Sequence, residues 1–421
     1  MTTLKLGHYD RNAGPESWRS YLRRYHESPM PSDSFRGDAN SVWRVPKVLA
    51  GTTVSDLQHT LKTLGYLPLG PVDGIFGYRT IAAVRLFQEY ARTVGGMPEL
   101  GPPDGMVGRN TRAALDEAVR TNARCRWTVV GQRQETPWLA LLEAAKVQYE
   151  QDYRDILPDL FDIDSDTLIP DRWQTRRAPV HIIGIRRTAW AASLDAAGKR
   201  MNNDVFVVIC NGRVMRFFGS TDPNPSMSRH PAGIPFLCKG QHDYRFGFHR
   251  MADRGEKCYR ALRPADRGVR VVRDSDGDKK LSPGDRLDPS PNRTINLHWS
   301  GRGTSNWSAG CQVVGGAVYL NHVGDTIDCW DHAALRYDQL GGETGRGAYD
   351  VMLSWATVCA PDITVSGRIP YTLIEESDLK RLAPGLHESV VGDFTNAVRT
   401  VALHDRRIRS LVEERAPNML A

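Results

Sequence analysis

Residues 73–84 read DGIFGYRTIAAV and residues 104–115 read DGMVGRNTRAAL, one pattern returning at an offset of 31 residues from Asp73 to Asp104. Similar segments meet similar local constraints, so this repeat restricts the surrounding fold more than any other feature of the chain. In each copy an Asp-Gly pair, Asp73-Gly74 or Asp104-Gly105, makes a tight turn. A second glycine, Gly77 or Gly108, admits close backbone approach. A threonine, Thr80 or Thr111, stands where an N-cap is expected before an apolar helical run. Ahead of the first copy, Val54, Leu57, Leu61 and Leu64 form a helical stripe that Ser55 caps and Gly65 ends. The spacing predicts a small helical bundle.

The pattern is fuller than the repeat alone. It runs L-Q-x-x-L-x-x-L-G-Y from Leu57, then D-G-x-F-G-x-x-T through Asp73, Gly74, Phe76, Gly77 and Thr80. It continues with A-V-x-x-F-Q ending in Phe87 and Gln88, and D-G-x-V-G-x-x-T through Asp104, Gly105, Gly108 and Thr111. This resembles the three-helix peptidoglycan-binding domain attached to many wall hydrolases, over Val54 to about Arg120. The resemblance implies a wall-binding module at residues 51–122, carried by those motif residues, with peptidoglycan as partner.

The chain has 421 residues, enough for two or three domains with cores of their own. Charged residues make up 25% and the mean hydropathy is −0.44, a composition that excludes collagen-like, coiled-coil and low-complexity classes. The longest apolar run, Val205 to Cys210, is far short of a membrane span. The net charge of +6 is an ordinary surface balance, and no nucleic-acid partner is expected. Residues 1–50 read as an arm with a short helix at 16–26. The first residues lack a basic stretch followed by an apolar one, so the expectation is cytoplasmic synthesis without a signal peptide. Action in the bacterial wall or periplasm would then follow lysis or specialised secretion, with a phage-particle or secretion-machine partner and an immunity protein if the chain is an antibacterial effector.

Apolar residues at helical spacing over 137–161 predict helices in a connector spanning 123–178, with Trp138, Leu141 and Leu142 in its core. From Val180 short strands alternate with turns: Val180–Ile185, Val205–Cys210 and Arg213–Phe218, the last two joined by the hairpin signal Asn211-Gly212. A β-rich domain over 179–375 and a helical tail over 376–421 follow, the tail's basic cluster at His404, Arg406, Arg407 and Arg409 reading as a solvated face. The fold class is therefore α+β multidomain, a small all-α bundle plus a β-rich domain with a helical tail.

Within the β-rich part, Thr294-Ile295-Asn296-Leu297-His298-Trp299-Ser300-Gly301 is followed by Trp307-Ser308-Ala309-Gly310-Cys311. A strand ending in histidine, a glycine-bearing loop and a Ser-x-Gly-Cys turn can bring thiol and imidazole together. The amides of Gly310 and Cys311 would then face a developing oxyanion. The segment resembles the signature of the L,D-transpeptidase (YkuD-like) family, with His298, Ser308, Gly310 and Cys311 on the motif. Ala309 replaces the usual histidine, Gln312-Val313 replace the residues after the cysteine, and the spacing is shorter. The resemblance implies acyl-enzyme chemistry at the L,D-bond to D-Ala of wall stem peptides, with Cys311 as nucleophile, His298 as base and a backbone carbonyl near Trp299 or Ser300 orienting it. Carboxypeptidase, transpeptidase and exchange outcomes all stay open. A histidine-activated Cys311 should also alkylate well below the ordinary thiol pKa. His249, Trp299 and Trp307 are further cleft candidates.

No cofactor is required by this chemistry. Asp274, Asp276, Asp278 and Asp285 are spaced like the oxygen ligands of a Ca²⁺ loop, with a solvated acidic turn as the alternative. Ser228-x-His230-x-x-Gly233 is similar to the start of a zinc-peptidase signature whose remainder Pro235 and Leu237 break. The competing class of function is a non-enzymatic wall-binding component of a phage tail or injection apparatus.

Overall fold

The repeat builds the same clamp twice. Helices α1 (Thr53–Thr63), α2 (Tyr78–Thr93) and α3 (Arg109–Arg120) form the bundle, and a buried glutamine near the end of one segment holds the next Asp-Gly loop. Gln58 Nε2 donates to Asp73 Oδ1 (2.8 Å), Ile75 O (3.0 Å) and Thr80 Oγ1 (3.0 Å), while its Oε1 accepts the amides of Asp73 and Gly74. Gln88 repeats this with Asp104 Oδ1 (2.7 Å), Met106 O (3.1 Å), Thr111 Oγ1 (3.1 Å) and the Gly105 amide. Gly74 and Gly105 take φ of 69° and 78°, the left-handed backbone these loops need. The threonines are thus not N-caps: helix starts fall at Gly77 and Gly108, and each threonine hydroxyl sits in the first turn as a glutamine acceptor.

The structure is a computed structural model. It describes residues 2–14, 20–21, 24, 47–51, 53–128, 133–156, 164–187, 202–224, 233–249, 259–275, 277, 284–303, 306–336, 339–340 and 345–415. Most of the helix expected at 16–26, the residues 228–232, Cys258, Asp276 and Asp278 lie outside these.

The first residues belong to the bundle rather than to a separate arm. Strand β1 (His8–Asp10) pairs in parallel with β2 (Lys47–Leu49), Leu4 bridges to Val107 and Tyr9 to Ile75. Asp10 caps α1 from 44 positions away, accepting the amides of Val54 and Ser55, each at 2.8 Å. Ser55, expected to be that cap, instead donates its hydroxyl to Asp10.

Beyond the bundle, α4 (Thr136–Ile156) is one continuous helix, with Trp138, Leu141 and Leu142 buried as expected. Strands β3 (Val180–Arg186), β4 (Asp204–Cys210) and β5 (Arg213–Ser220) form an antiparallel meander. Asn211 and Gly212 both have positive φ, as a two-residue hairpin turn demands. The remaining strands are β6 (Pro235–Leu237), β7 (Gly240–His249), β8 (Tyr259–Pro264), β9 (Val271–Arg273), β10 (Arg286–Leu287), β11 (Leu297–Trp299), β12 (Gln312–Leu320), β13 (Thr326–Asp328) and β14 (Ile369–Glu375). The large sheet runs β11-β8-β7-β14-β3-β4-β5-β12-β13, and a parallel β11–β12 pairing closes eight of its strands into a barrel. A small sheet, β10-β9-β6, lies beside it.

Period-two alternation along β4 feeds two cores: Phe206 and Val208 join one, Val205, Val207 and Ile209 the other. The first core continues through α5 (Ala348–Cys359) into the bundle; the second is covered by α4 and by α7 (Pro384–His404), which follows α6 (Glu376–Leu382) and precedes α8 (Arg406–Arg415). The tail's basic cluster is not simply a solvated face, because His404 sits 2.6 Å from Asp328 and stacks on Trp330, and Arg409 reaches the Ala402 carbonyl.

Bundle and barrel are locked together by α2. Arg79 donates to the carbonyls of Thr357, Ala360 and Pro361 at the end of α5. Arg85 reaches Ser354 Oγ at 3.1 Å and Asp350 at 3.4 Å. Glu89, fully buried, accepts from the Tyr319 hydroxyl. Among the described residues no helix is long and apolar enough to cross a membrane.

Candidate active site

Barrel closure assembles the site. The β11–β12 register sets Leu297 opposite Gln312 and His298 opposite Val313, which brings Cys311, the residue before β12, beside Asn296, the residue before β11. The β7–β8 pairing puts His249 opposite Tyr259, and both rings lie against His298. Residues from 249 to 311 become one cluster only because these four strands are neighbours.

His298 is buried. Its Nδ1 lies 2.8 Å from the Trp299 carbonyl and 3.0 Å from the Tyr259 hydroxyl, which itself donates to that carbonyl at 3.2 Å. With the Nδ1 proton given to Trp299 O, Nε2 is the basic nitrogen. His249 stacks flat on His298, with ring centroids 3.8 Å apart and planes 14° apart. Trp299 is buried and packs edge-on against Tyr259, with the Arg346 guanidinium over both rings, whereas Trp307 is exposed on the loop before Ser308.

The Cys311 thiol donates to Thr294 O at 3.1 Å and accepts the Asn296 amide at 3.4 Å; among the described residues none of its hydrogen bonds runs to His298. Burial pushes the thiol up from its ordinary value, against the pull of the Asn296 amide, the Ser308 hydroxyl and the Arg263 charge. Burial thus favours the neutral thiol over the thiolate that low-pH alkylation would need. Ser308 Oγ accepts the Gly310 amide at 3.2 Å, so that amide is engaged inside the turn rather than turned outward. Gly310 is required for another reason, since a Cβ there would come within 2.6 Å of Pro235 Cγ.

Two neighbours went unnoticed in sequence. Asn296, the residue before β11, touches both the thiol and His249, and Tyr259 bonds His298 Nδ1. Nothing local marks either one, because their partners come from other strands. Of the acidic residues expected to hold Ca²⁺, Asp276 and Asp278 lie outside the described residues, while Asp274 accepts the Gly277 amide and Asp285 the Ser275 amide, each at 2.9 Å. Among the described residues no cluster of three or more His, Cys, Asp or Glu side chains is arranged to hold a metal. In the bundle, Asp73 Oδ1, Thr80, Gln88, Asp104 Oδ1 and Thr111 take part in the two clamps.

Residues 50–115 match the model of the peptidoglycan binding domain family. No curated protein matches the chain, and no solved structure does. The match makes the helical bundle a peptidoglycan-binding domain and peptidoglycan the chain's partner.

Proposed function

We propose that the chain is a wall-bound cysteine enzyme that cleaves or transfers the L,D-bond to D-Ala in peptidoglycan stem peptides. Cys311 attacks the carbonyl of the diamino acid as His298 Nε2 takes the thiol proton, and the C–N bond of the tetrahedral adduct breaks as that proton passes to the leaving D-Ala nitrogen. A thioester on Cys311 remains. Water resolves it to a shortened peptide, a stem-peptide amine to a crosslink, and a free D-amino acid to an exchanged terminus. The observation that carries this reading is the β11–β12 register, which brings the segments bearing Cys311 and His298 side by side, with the imidazole Nδ1 bonded to Trp299 O and Tyr259. The α2 contact that holds a peptidoglycan-binding domain to the same barrel supports the choice of substrate.

The test is mass spectrometry of muropeptides after purified sacculi meet the wild-type chain or Cys311→Ala. Loss of terminal D-Ala, exchange or new crosslinks with the wild type alone is the expected result, and turnover should climb with pH because the resting thiol is neutral. An unchanged profile while the protein still sediments with sacculi would favour the second reading, a non-catalytic wall-binding protein. One observation favours that reading: the thiol is bonded to Thr294 and Asn296 rather than to His298.

A further inference from the structure

Asn296 is 6% exposed and holds the thiol and a histidine at once. Its backbone N–H points at Cys311 Sγ (3.4 Å), its carbonyl accepts the Gln312 amide (2.8 Å) and its Nδ2 donates to His249 Nδ1 (3.0 Å). The remaining atom, Oδ1, is buried and has no hydrogen-bond partner among the described residues. A buried amide oxygen without a donor costs about 1–3 kcal/mol, a cost that a donor brought by a ligand removes. The amide is not free to turn away. His249 is gripped between Asn296 and the face of His298 and meets Tyr259 edge-on at 5.5 Å, and with its Nδ1 as acceptor it holds Nδ2 toward itself and turns Oδ1 the other way.

We propose that Asn296 Oδ1 accepts the N–H of the peptide bond that Cys311 attacks, which makes Asn296 a substrate-binding residue and His249 the positioning residue that aims it. This rests on the reading of Cys311 as the nucleophile. The chemistry required is a neutral donor one bond from the carbonyl that the sulfur approaches. A peptide N–H is such a group, and an amide oxygen binds it without the desolvation penalty of a carboxylate. Holding that N–H leaves the nitrogen's developing lone pair to receive the proton from His298, so the D-Ala nitrogen departs as an amine carrying its original hydrogen and the transferred one.

Replacing the N–H by oxygen tests this directly. Two synthetic substrates share every atom but one: a stem tetrapeptide ending in D-Ala and its depsipeptide ending in D-lactate. Asn296→Ala should lower kcat/KM on the peptide at least about tenfold more than on the ester, the worth of one hydrogen bond to a buried acceptor. His249→Ala should discriminate in the same sense by a smaller factor, and His249→Phe, which keeps the stacked ring but not the nitrogen, should behave like His249→Ala. Equal losses on both substrates would reduce Asn296 to a structural role and overturn the proposal. The second measurement needs no turnover: calorimetry on the Cys311→Ala chain should show the peptide bound about tenfold tighter than the depsipeptide, a preference erased by adding Asn296→Ala. If the wild type turns over neither substrate yet this preference is present, the nucleophile reading fails and Asn296 stands. If neither ligand binds, or both bind alike, the Asn296 proposal fails.

Discussion

The two copies of the repeat keep the same interior and differ on the outside. Gln58, Asp73 and Thr80 in the first copy match Gln88, Asp104 and Thr111 in the second, with the same side-chain bonds from each glutamine to the aspartate and threonine. Outward positions diverge. Tyr78, Arg79, Arg85 and Glu89 of α2 lie against the barrel, while the residues 31 further on, Arg109, Asn110, Asp116 and Arg120 of α3, are all exposed. The motif therefore specifies how each unit folds, and the residues between motif positions specify where it sits. A module that looks detachable in sequence is fixed to the barrel by one helix whose repeat partner faces water.

The shared interior should break hardest. Gln58→Ala strips the donor from Asp73 Oδ1, Ile75 O and Thr80 Oγ1 and the acceptor from two amides, all in a buried loop. The expected cost is about 4 kcal/mol, near the top of the range for a single substitution. Gln88→Ala should cost slightly less, because only one amide, that of Gly105, relies on its oxygen. Chemical denaturation of the two variants checks both size and order; a Gln88 loss exceeding the Gln58 loss would contradict the idea that the two clamps are equivalent in kind.

Next comes the contact that the copies do not share. Glu89 is 1% exposed and accepts from Arg92 (2.7 Å), Thr93 Oγ1 (3.0 Å) and the Tyr319 hydroxyl. Glu89→Ala leaves Arg92 and Tyr319 without their partner in the seam between bundle and barrel, at a cost of about 3 kcal/mol. It should also turn one cooperative unfolding transition into two in calorimetry, as the bundle comes loose from the barrel. A single transition at lower temperature would mean that Arg79 and Arg85 hold the seam alone.

How much of this was legible in sequence follows from the range of each interaction. The bundle, its loops and the β3–β4–β5 meander were readable because their signals are local: Asp-Gly turns, an apolar stripe, an Asn-Gly hairpin. The cap of α1 was misassigned to Ser55 because the group that binds those amides, Asp10, lies 44 residues away. The motif threonines were misread for a related reason, since their acceptor role exists only once Gln58 and Gln88 fold back. In the candidate site, Cys311 and His298 were visible as residue types at a suggestive spacing. Asn296, His249 and Tyr259 gained their roles from strand pairing, and barrel closure through β11 and β12 has no signature in either strand.

A third asymmetry is electrostatic. His8, beside the first copy, is buried, and burial together with Lys47 and Lys5 lowers its pKa to about 4. The neutral ring is the folded form. Its contribution is intact above the unfolded value of 6.5 and is lost as the pH falls from there toward about 4, because only the unfolded chain then takes up the proton. His8→Gln should therefore lose less stability than the wild type between pH 7 and pH 4.5, by on the order of 2 kcal/mol. Buried His242 and His322, lowered to about 3 and about 4, keep an acid limb in both proteins, so the difference between the curves is the readout. Parallel curves would mean that His8 is solvated in the folded state.

The smallest effect belongs to the outer face of the second copy, and it is the sharpest control. Arg92–Glu89 on α2 and Arg120–Glu117 on α3 are the same pair at the same i,i+3 spacing, 2.7 Å and 2.6 Å long. The first has a fully buried carboxylate; in the second the side chains are 72% and 40% exposed. Water screens the exposed pair and solvates either partner when the other is removed, so a hydrogen bond of ideal length there adds almost nothing. Arg120→Ala should leave the unfolding temperature within about 1 °C of the wild type, well inside the spread of surface substitutions. It should equally leave sedimentation with sacculi unchanged if α3 carries no wall contact at that position. Weakened sedimentation at unchanged stability would assign the exposed face of α3 to the wall, giving the copy that faces water its own task beside the copy that faces the barrel.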